Sequence, residues 1–132
     1  EPFLVSSTVE GVLAQRLVRR LCPHCREAFE PKADEVPADF PTSEILEKDI
    51  TVYQPRGCRE CRETGYKGRM GIYELLMGSD RVRQLANERT PSNVLKQAAV
   101  EEGMKTLRLD GWDKVMQGLT SVDEVLRVTK ES

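Results

Sequence analysis

The sequence predicts an α+β fold that is mostly helical, in which a tetracysteine module with short strands is followed by a small C-terminal helical subdomain. Three observations support this prediction. All four cysteines lie in two C-x-x-C pairs, and β-prone segments flank the second pair. From Ser79 onward, apolar residues recur at the three- and four-residue spacing of amphipathic helices. These patterns divide the chain into residues 1–21, 22–66 and 67–132.

The cysteine pairs are Cys22/Cys25 and Cys58/Cys61, with 32 residues between them. Two intervening residues let both thiolates of a tight turn point at one centre. Two such turns together make a tetrahedral S4 site, the arrangement that Zn²⁺ favours in structural sites. Because four protein ligands leave no position for water, we expect the zinc to stabilise the fold and not to act as a catalytic centre.

Other interpretations of the cysteines stay open. Iron in a rubredoxin-like S4 site, or an iron–sulfur cluster, fits the same ligands. Two disulfides are disfavoured because nothing else in the chain looks secreted, and a thioredoxin-like redox pair would not need a second pair. His24 lies inside the first pair and is expected to be a bystander, since four thiolates already complete the site.

The composition limits the function classes. Charged residues make up 32% of the chain and the net charge is −2, so no overall attraction to nucleic acid or anionic lipid is expected. Aromatic residues are sparse, which indicates a modest core that a bound metal stabilises by on the order of 10 kcal/mol. No apolar run approaches the roughly 20 residues that span a bilayer, and there is no signal peptide, which favours a cytosolic protein. The start at Glu1 without methionine predicts a fragment of a longer chain.

A first helix is predicted from Val9 to Leu21. Ser7-x-x-Glu10 has the spacing of a capping box, and arginines at positions 19 and 20 place positive charge at the predicted helix end. The apolar residues with helical spacing are Val9, Val12, Leu13, Leu17 and Leu21. The first cysteine pair would therefore follow directly from a helix.

The segment between the cysteine pairs predicts little regular structure. Residues 26–50 contain three prolines and many charged residues, with a short helix over Ser43–Lys48. Ile50–Tyr53 is β-prone, and we expect a strand there to pair with a strand after Cys61, as in a zinc ribbon. Met70–Leu76 predicts a further strand with one buried face.

The C-terminal part predicts helices whose apolar stripes form core or docking surface. Trp112 belongs to one of these stripes and gives no sign of a cofactor site. The helix start signals are capping residues or a proline at the first helical position, namely Ser79–Asp80, Thr90–Pro91 and Ser121-x-x-Glu124.

A second candidate site follows the second cysteine pair. Five basic residues stand against two acidic ones between positions 56 and 69, beside a glycine-spaced turn, and a phosphate is the ligand that such a patch suits. The alternative is a solvated rim around the metal module. The basic residues of this patch are Arg56, Arg59, Arg62, Lys67 and Arg69.

The chain contains no G-x-x-x-x-G-K-[ST] phosphate loop, no serine–histidine–aspartate set and only one histidine. We therefore expect this chain by itself to be catalytically inactive.

Several stretches together resemble a known family. They are residues 1–7, the run Gly-Val-Leu-Ala-Gln-Arg-Leu-Val-Arg-Arg-Leu at 11–21, the segment 57–76 around the second cysteine pair, and residues 119–130. These stretches resemble the type II secretion ATPases (general secretion pathway protein E) and the related type IV pilus assembly ATPases. The ending Arg-Val-Thr-Lys-Glu favours the secretion branch.

The resemblance implies a homo-hexameric motor that depends on ATP and Mg²⁺ and lies at the cytoplasmic face of a bacterial inner membrane. Such a motor drives pseudopilus assembly through inner-membrane platform proteins. Residues 1–21 would be the tail of its RecA-like motor domain, and the phosphate loop, the acidic Mg²⁺-site residues and a histidine box would lie upstream.

The resemblance also implies roles for single residues. Cys22, Cys25, Cys58 and Cys61 match the metal ligands of the family. Arg69 matches an arginine that lies near nucleotide phosphates, whereas Gln15 and Arg16 match a motif to which we assign no mechanism.

Two alternatives belong to other classes. A stand-alone zinc-ribbon module that binds nucleic acid would use the basic patch, but the acidic net charge and the lack of interleaved aromatic residues argue against it, and no nucleic acid partner is expected. Binding through phosphates would have to fall steeply with salt, which separates this class from the others. The third class is a metal-stabilised protein-interaction module with no link to nucleotide.

Overall fold

The computed structural model describes residues 11–130 and has the predicted α+β character, with five α-helices and four strands in that range. The strands pair as two two-stranded sheets, β1 with β4 and β2 with β3. In chain order the elements are β1 (Gly11–Leu21), β2 (Glu27–Phe29), α1 (Thr42–Glu47), β3 (Val52–Gln54), a 3₁₀ turn (Arg59–Cys61), β4 (Tyr66–Met77), α2 (Asp80–Asn87), α3 (Ser92–Glu101), α4 (Leu107–Met116) and α5 (Val122–Thr129).

The helix predicted from Val9 to Leu21 is wrong, because residues 11–21 form strand β1. The strand is held by partners far along the chain: it pairs with β4, and the Leu21 N–H donates to the Leu119 carbonyl at 2.9 Å. Pairing between distant strands therefore overrides the local helical spacing. Most of the expected apolar stripe stays exposed, and Val18 is buried instead. The predicted capping box at Ser7 and Glu10 lies outside the described residues.

The expected partner of the β-prone segment near Ile50 is also wrong. Strand β3 pairs antiparallel with β2 in the register Glu27↔Gln54, Ala28↔Tyr53 and Phe29↔Val52, and not with a strand after Cys61. Strand β2 leaves the first cysteine pair and β3 leads into the second, so their pairing closes the long segment between the two pairs. The short helix predicted within that segment is confirmed as α1, and the strand predicted at Met70–Leu76 is confirmed within β4.

The contact pattern divides the described residues into two compact units. We call residues 16–72 with 107–130 the metal unit, and residues 11–15 with 73–106 the helical unit. Helices α4 and α5 therefore belong with the cysteine module, and α2 and α3 form the bulk of the other unit.

In the metal unit, the apolar core lies between the segment that joins the cysteine pairs and the last two helices. Trp112 is buried, packs edge-on against Phe40 with ring centroids 5.1 Å apart, and donates its indole N–H to Asp39 at 3.0 Å. Of the two roles predicted for the helical stripes, core or docking surface, Trp112 therefore has the first. The buried residues of this cluster are Phe40, Ile45, Val52, Trp112, Val115, Val122 and Val125.

In the helical unit, two sequence signals open the helices. The Ser79 hydroxyl accepts the Val82 N–H at 3.2 Å and caps α2, as predicted. Helix α3 begins one residue later than predicted, because Pro91 itself is the capping residue and Thr90 is not. The face of α3 that contains Ala98 and Ala99 is buried.

Gly111 allows α4 and α5 to pack closely. A Cβ atom at this position would lie 2.6 Å from Val125 Cγ1 and 3.0 Å from its Cγ2. Glycine to alanine in a helix interior ordinarily stabilises by about 1 kcal/mol, but we expect Gly111→Ala to lower the free energy of unfolding by about 1–3 kcal/mol, because buried valine has little rotamer freedom to move away. Urea unfolding measures the effect.

The double variant Gly111→Ala/Val125→Ala serves as the control for this clash. Its loss of stability is expected to be smaller than the sum of the two single losses, since removing the valine methyl groups makes room for the alanine. Additive losses would show that the steric contact is not the cause.

Candidate metal centre

The four cysteine Sγ atoms lie within 4.8 Å of one another. Three of their separations, Cys22–Cys58, Cys25–Cys61 and Cys58–Cys61, are each 3.8 Å. Four thiolates at about 2.3 Å from a zinc ion have sulfur–sulfur edges of about 3.8 Å, whereas a disulfide needs about 2.05 Å. All four cysteines are free, and their arrangement fits one tetrahedral metal ion.

The first cysteine turn grows out of the end of β1. The Cys22 carbonyl accepts the N–H groups of Cys25 at 3.3 Å and Arg26 at 3.0 Å, which closes the turn and directs both thiols to one side. The Cys22 N–H donates to the Gly65 carbonyl at 2.9 Å, so the turn is also joined to the start of β4. The spacing of two residues between the cysteines is what permits this compact turn.

The second turn is the 3₁₀ segment that contains Cys61. The N–H groups of Cys58 and Gly65 donate to Cys61 Sγ at 3.2 and 3.1 Å, and the Gly57 N–H donates to Cys25 Sγ at 3.3 Å. Donors placed on sulfur stabilise the charged thiolate, which is the form that binds metal.

These surroundings shift the pKa values of two of the thiols in opposite directions. Burial opposes ionisation of Cys61, but the N–H donors of Cys58 and Gly65 outweigh it and lower its pKa to about 6. Burial raises the pKa of Cys25 to about 11 against the single backbone donor of Gly57. Without a metal, the Cys61 thiol is therefore more acidic than that of Cys25, and a bound cation would favour the thiolate form of all four cysteines.

Gly65 lets the second turn approach the strand that precedes it. Its φ is +84°, and a Cβ there would lie 2.5 Å from the Pro55 Cβ. A side chain at this position would force apart the two segments that bring Cys61 to the other cysteines. His24, by contrast, is exposed, and the four gathered metal-ligand atoms in residues 11–130 are all cysteine sulfurs.

The first cysteine turn is tied to the corner between α4 and α5. The Arg26 guanidinium donates to the Gly118 carbonyl at 2.7 Å and lies 3.9 Å from the centre of the Tyr53 ring. Together with the bond between Leu21 and Leu119, this contact joins the cysteine cluster to the last two helices.

A buried carboxylate that sequence reasoning missed lies beside this corner. Glu124 is 1% exposed, and it accepts from the Arg19 backbone N–H at 2.8 Å and from the guanidinium groups of Arg19 and Arg127 at 2.9 Å. Burial disfavours the charge on Glu124, but the two arginines and the backbone donor lower its pKa to about 2. The carboxylate therefore stays ionised and connects β1 to α5.

Only half of the capping box predicted at Ser121-x-x-Glu124 forms. The Ser121 hydroxyl accepts the Glu124 N–H at 3.1 Å, but the Glu124 carboxylate bonds to Arg19 and Arg127. Ser121 also shares a 2.7 Å hydrogen bond with the Tyr66 hydroxyl, whose ring lies 4.2 Å from the Arg19 guanidinium. Burial raises the pKa of Tyr66. The capping spacing indicated the helix start, and no local signal indicated that Arg19 would be the partner of Glu124.

The predicted basic patch is exposed at all five positions. Arg56 lies 3.9 Å from Glu27, whereas the Arg69 side chain, on β4, makes no hydrogen bond or ion pair with any other residue between positions 11 and 130. Arg69 is therefore free to take an external partner.

The Gln15 amide donates to the Tyr73 hydroxyl at 3.2 Å, and Arg16 lines a shallow cavity of about 340 Å³ with Arg127.

Comparison with known proteins decides the family. Residues 1–127 match the family model described as "Type II/IV secretion system protein". The chain belongs to this family. The resemblance predicted from the sequence is therefore confirmed.

Curated relatives come from both branches. The chain is 44% identical over its whole length to the type II secretion system ATPase E of Vibrio cholerae, and 43% identical over 97% of its length to the type IV pilus assembly ATPase TfpB of Acinetobacter baylyi. It is also 44% identical over 99% of its length to the type II secretion system protein E of Pseudomonas aeruginosa. It spans 25%, 22% and 25% of these relatives, or about a quarter of their length. Among the described residues, no helix combines the length and apolar character that crossing a membrane requires.

Proposed function

We propose that this chain is the C-terminal zinc-binding region of a hexameric ATPase that powers pseudopilus assembly in type II protein secretion. Membership of the secretion family supports the motor, and the four gathered cysteines support the metal. The relatives from the secretion and pilus branches are equally similar, so the assignment to secretion rests on the ending Arg-Val-Thr-Lys-Glu. A pilus assembly ATPase is the alternative within the same family.

In this proposal Cys22, Cys25, Cys58 and Cys61 hold the zinc. The ion supplies folding free energy and no reaction chemistry, because its four positions are all taken by protein. It fixes the ends of β1 and β4 against each other through the two cysteine turns. Residues 1–21 would form the tail of the RecA-like motor domain, and ATP with Mg²⁺ would bind in the part of the parent chain that precedes them.

We further propose that Arg69 contacts nucleotide phosphates in the assembled motor. Its guanidinium is exposed and without a partner among the described residues, and a planar guanidinium pairs well with phosphate oxygens and keeps its charge at every physiological pH. An arginine on the strand that follows the second cysteine turn would link the nucleotide state to the metal unit. The motor would act at the cytoplasmic face of the inner membrane, on platform proteins of the secretion system.

The test is ATP hydrolysis by the full-length protein. Arg69→Ala is expected to lower kcat more than about tenfold, since arginine contacts to a transferring phosphoryl group contribute 10³-fold or more in related chemistry. Lys67→Ala is the matched control, because Lys67 is also basic, exposed and on β4, two residues away. We expect the kcat of Lys67→Ala to stay within about twofold of wild type. Both variants are expected to retain their zinc, because the two substitutions differ in their effect on the nucleotide contact and not on the structure.

Two outcomes would contradict the proposal in different ways. Equal turnover by wild type and Arg69→Ala would make Arg69 part of a solvated rim and leave the motor assignment standing. Absence of ATP hydrolysis by the assembled wild-type protein would overturn the motor assignment itself.

A further inference from the structure

A shallow groove lies on the segment between the two cysteine pairs. Its volume is about 390 Å³, and it is lined by the end of β2 with the two residues after it, by α1, and by residues 49–51 between α1 and β3. The residues that line the groove include Phe29, Glu30, Ile45, Leu46, Asp49 and Ile50.

The groove is built on the core and is therefore preformed. Ile45 of α1 is buried in the core cluster that includes Trp112, whereas the next residue, Leu46, is 71% exposed at the groove. Asp49 adopts a left-handed conformation with φ 53°, and the Ile50 N–H donates back to the Ile45 carbonyl at 3.0 Å. This helix-ending turn holds the groove wall next to α1.

The exposed side chain of Leu46 is unfavourable for the protein without a partner. It has the highest exposure of the large apolar side chains in the described residues. A short helix that buries Ile45 in the core and exposes the next residue, Leu46, presents an anchor for a partner, because burying an exposed leucine is favourable.

The rim of the groove is acidic. Residues 26–50 contain eight carboxylates against three basic side chains. Glu30 and Asp49 are exposed at the groove and make no ion pair within residues 11–130, and the nearby Lys48 is engaged with Glu44 at 3.9 Å. The local field therefore repels nucleic acid and anionic lipid headgroups and attracts cationic groups.

We propose that this groove docks a basic amphipathic segment of a partner protein. An apolar side chain of that segment packs against Leu46 and Phe29, and flanking lysine or arginine residues pair with Glu30 and Asp49. This is the helix-in-groove mode of recognition, in which apolar anchors give affinity and complementary charges give orientation and on-rate. The interaction goes beyond the motor function and does not depend on Arg69 or on nucleotide.

The test uses the full-length protein and three labelled peptides of about 15 residues, a length at which helices begin to form in water. The first peptide carries leucines at i, i+3, i+4 and i+7 with lysines elsewhere, the second has the same composition in scrambled order, and the third replaces every lysine by glutamate. Fluorescence anisotropy measures binding. We expect the first peptide to bind at least tenfold more tightly than the other two.

Two variants locate the binding. Leu46→Lys is expected to weaken binding of the first peptide at least tenfold, and Glu30→Lys/Asp49→Lys is expected to weaken it at least fivefold. Leu109→Lys is the matched control, because Leu109 is also an exposed leucine, 45% exposed, and does not line the groove. It is expected to bind within twofold of wild type. All changed side chains are at the surface, and an unchanged melting temperature confirms that each variant is folded.

Each contrary result overturns the proposal. Equal binding of the ordered and scrambled peptides would show that the groove attracts positive charge without recognising a helix. Equal loss of affinity in Leu46→Lys and Leu109→Lys would show that the peptide binds elsewhere. Failure of all three peptides, with binding to vesicles of anionic phospholipid that Leu46→Lys abolishes, would replace the peptide by a membrane. Failure of all probes would leave the groove without a docking role.

Discussion

Cys61→Ser is expected to abolish metal binding and to unfold the metal unit. Cys61 accepts two backbone N–H donors and lies 3.8 Å from the sulfurs of Cys25 and Cys58, so it is the best-prepared ligand of the cluster. Zinc binding in small modules contributes on the order of 10 kcal/mol, which is comparable to the whole stability of an ordinary domain. The loss is therefore larger than for any packing change in this chain.

The measurement combines metal content with circular dichroism. Wild-type protein is expected to hold one metal ion per chain and to lose its cooperative thermal transition when a strong chelator removes the ion, as Cys61→Ser does without chelator. His24→Ala is the control within the same turn: His24 is exposed and its loss is expected to change neither metal content nor melting temperature. Full metal content in Cys61→Ser would remove this cysteine from the site, and a visible thiolate-to-iron absorption would identify iron in place of zinc.

Glu124→Gln is expected to lower the free energy of unfolding by about 2 kcal/mol, because hydrogen bonds to a charged group contribute about 1.5–3 kcal/mol and the two arginine partners are about half exposed. The amide keeps the shape of the side chain but leaves the guanidinium groups of Arg19 and Arg127 without their carboxylate. Glu44→Gln is the matched control: its partner Lys48 is exposed and 3.9 Å away, so the expected loss is below about 0.5 kcal/mol. Urea unfolding of the metal-loaded protein measures both.

The same substitution predicts a pH dependence. The folded pKa of Glu124 is about 2, below its ordinary value of 4.5. A group with a lowered folded pKa stabilises the protein above its ordinary pKa and loses that contribution as the pH falls through the folded pKa. The difference in stability between wild type and Glu124→Gln is therefore full above about pH 5 and shrinks between about pH 5 and pH 2. Because acid also protonates the thiolates and releases the metal, the two proteins are compared only over the pH range in which both still hold their metal ion. A stability difference that does not shrink from pH 7 toward the acid end of that range would contradict the assignment.

The cysteine cluster and the C-terminal helices could be predicted from the sequence because their signals are local. A C-x-x-C turn needs only its own few residues to direct two thiols to one side, and both turns have the predicted positions. In the same way, the Ser79 and Ser121 hydroxyls each cap a helix by accepting the N–H group three residues further along the chain. Trp112 lies on the buried face that helical spacing indicates. The sequence by itself thus determined the candidate ligands, the helices after Ser79 and the family.

Tertiary structure alone decided the features whose partners are distant in the chain. Residues 11–21 have the spacing of a helix, yet their backbone groups pair with β4 more than forty positions downstream, and Leu21 bonds to Leu119. The Glu124 carboxylate has the spacing of a cap, yet it bonds to Arg19, 105 residues away. Local patterns report which groups need a hydrogen bond or burial, but which distant group satisfies them depends on how the whole chain packs.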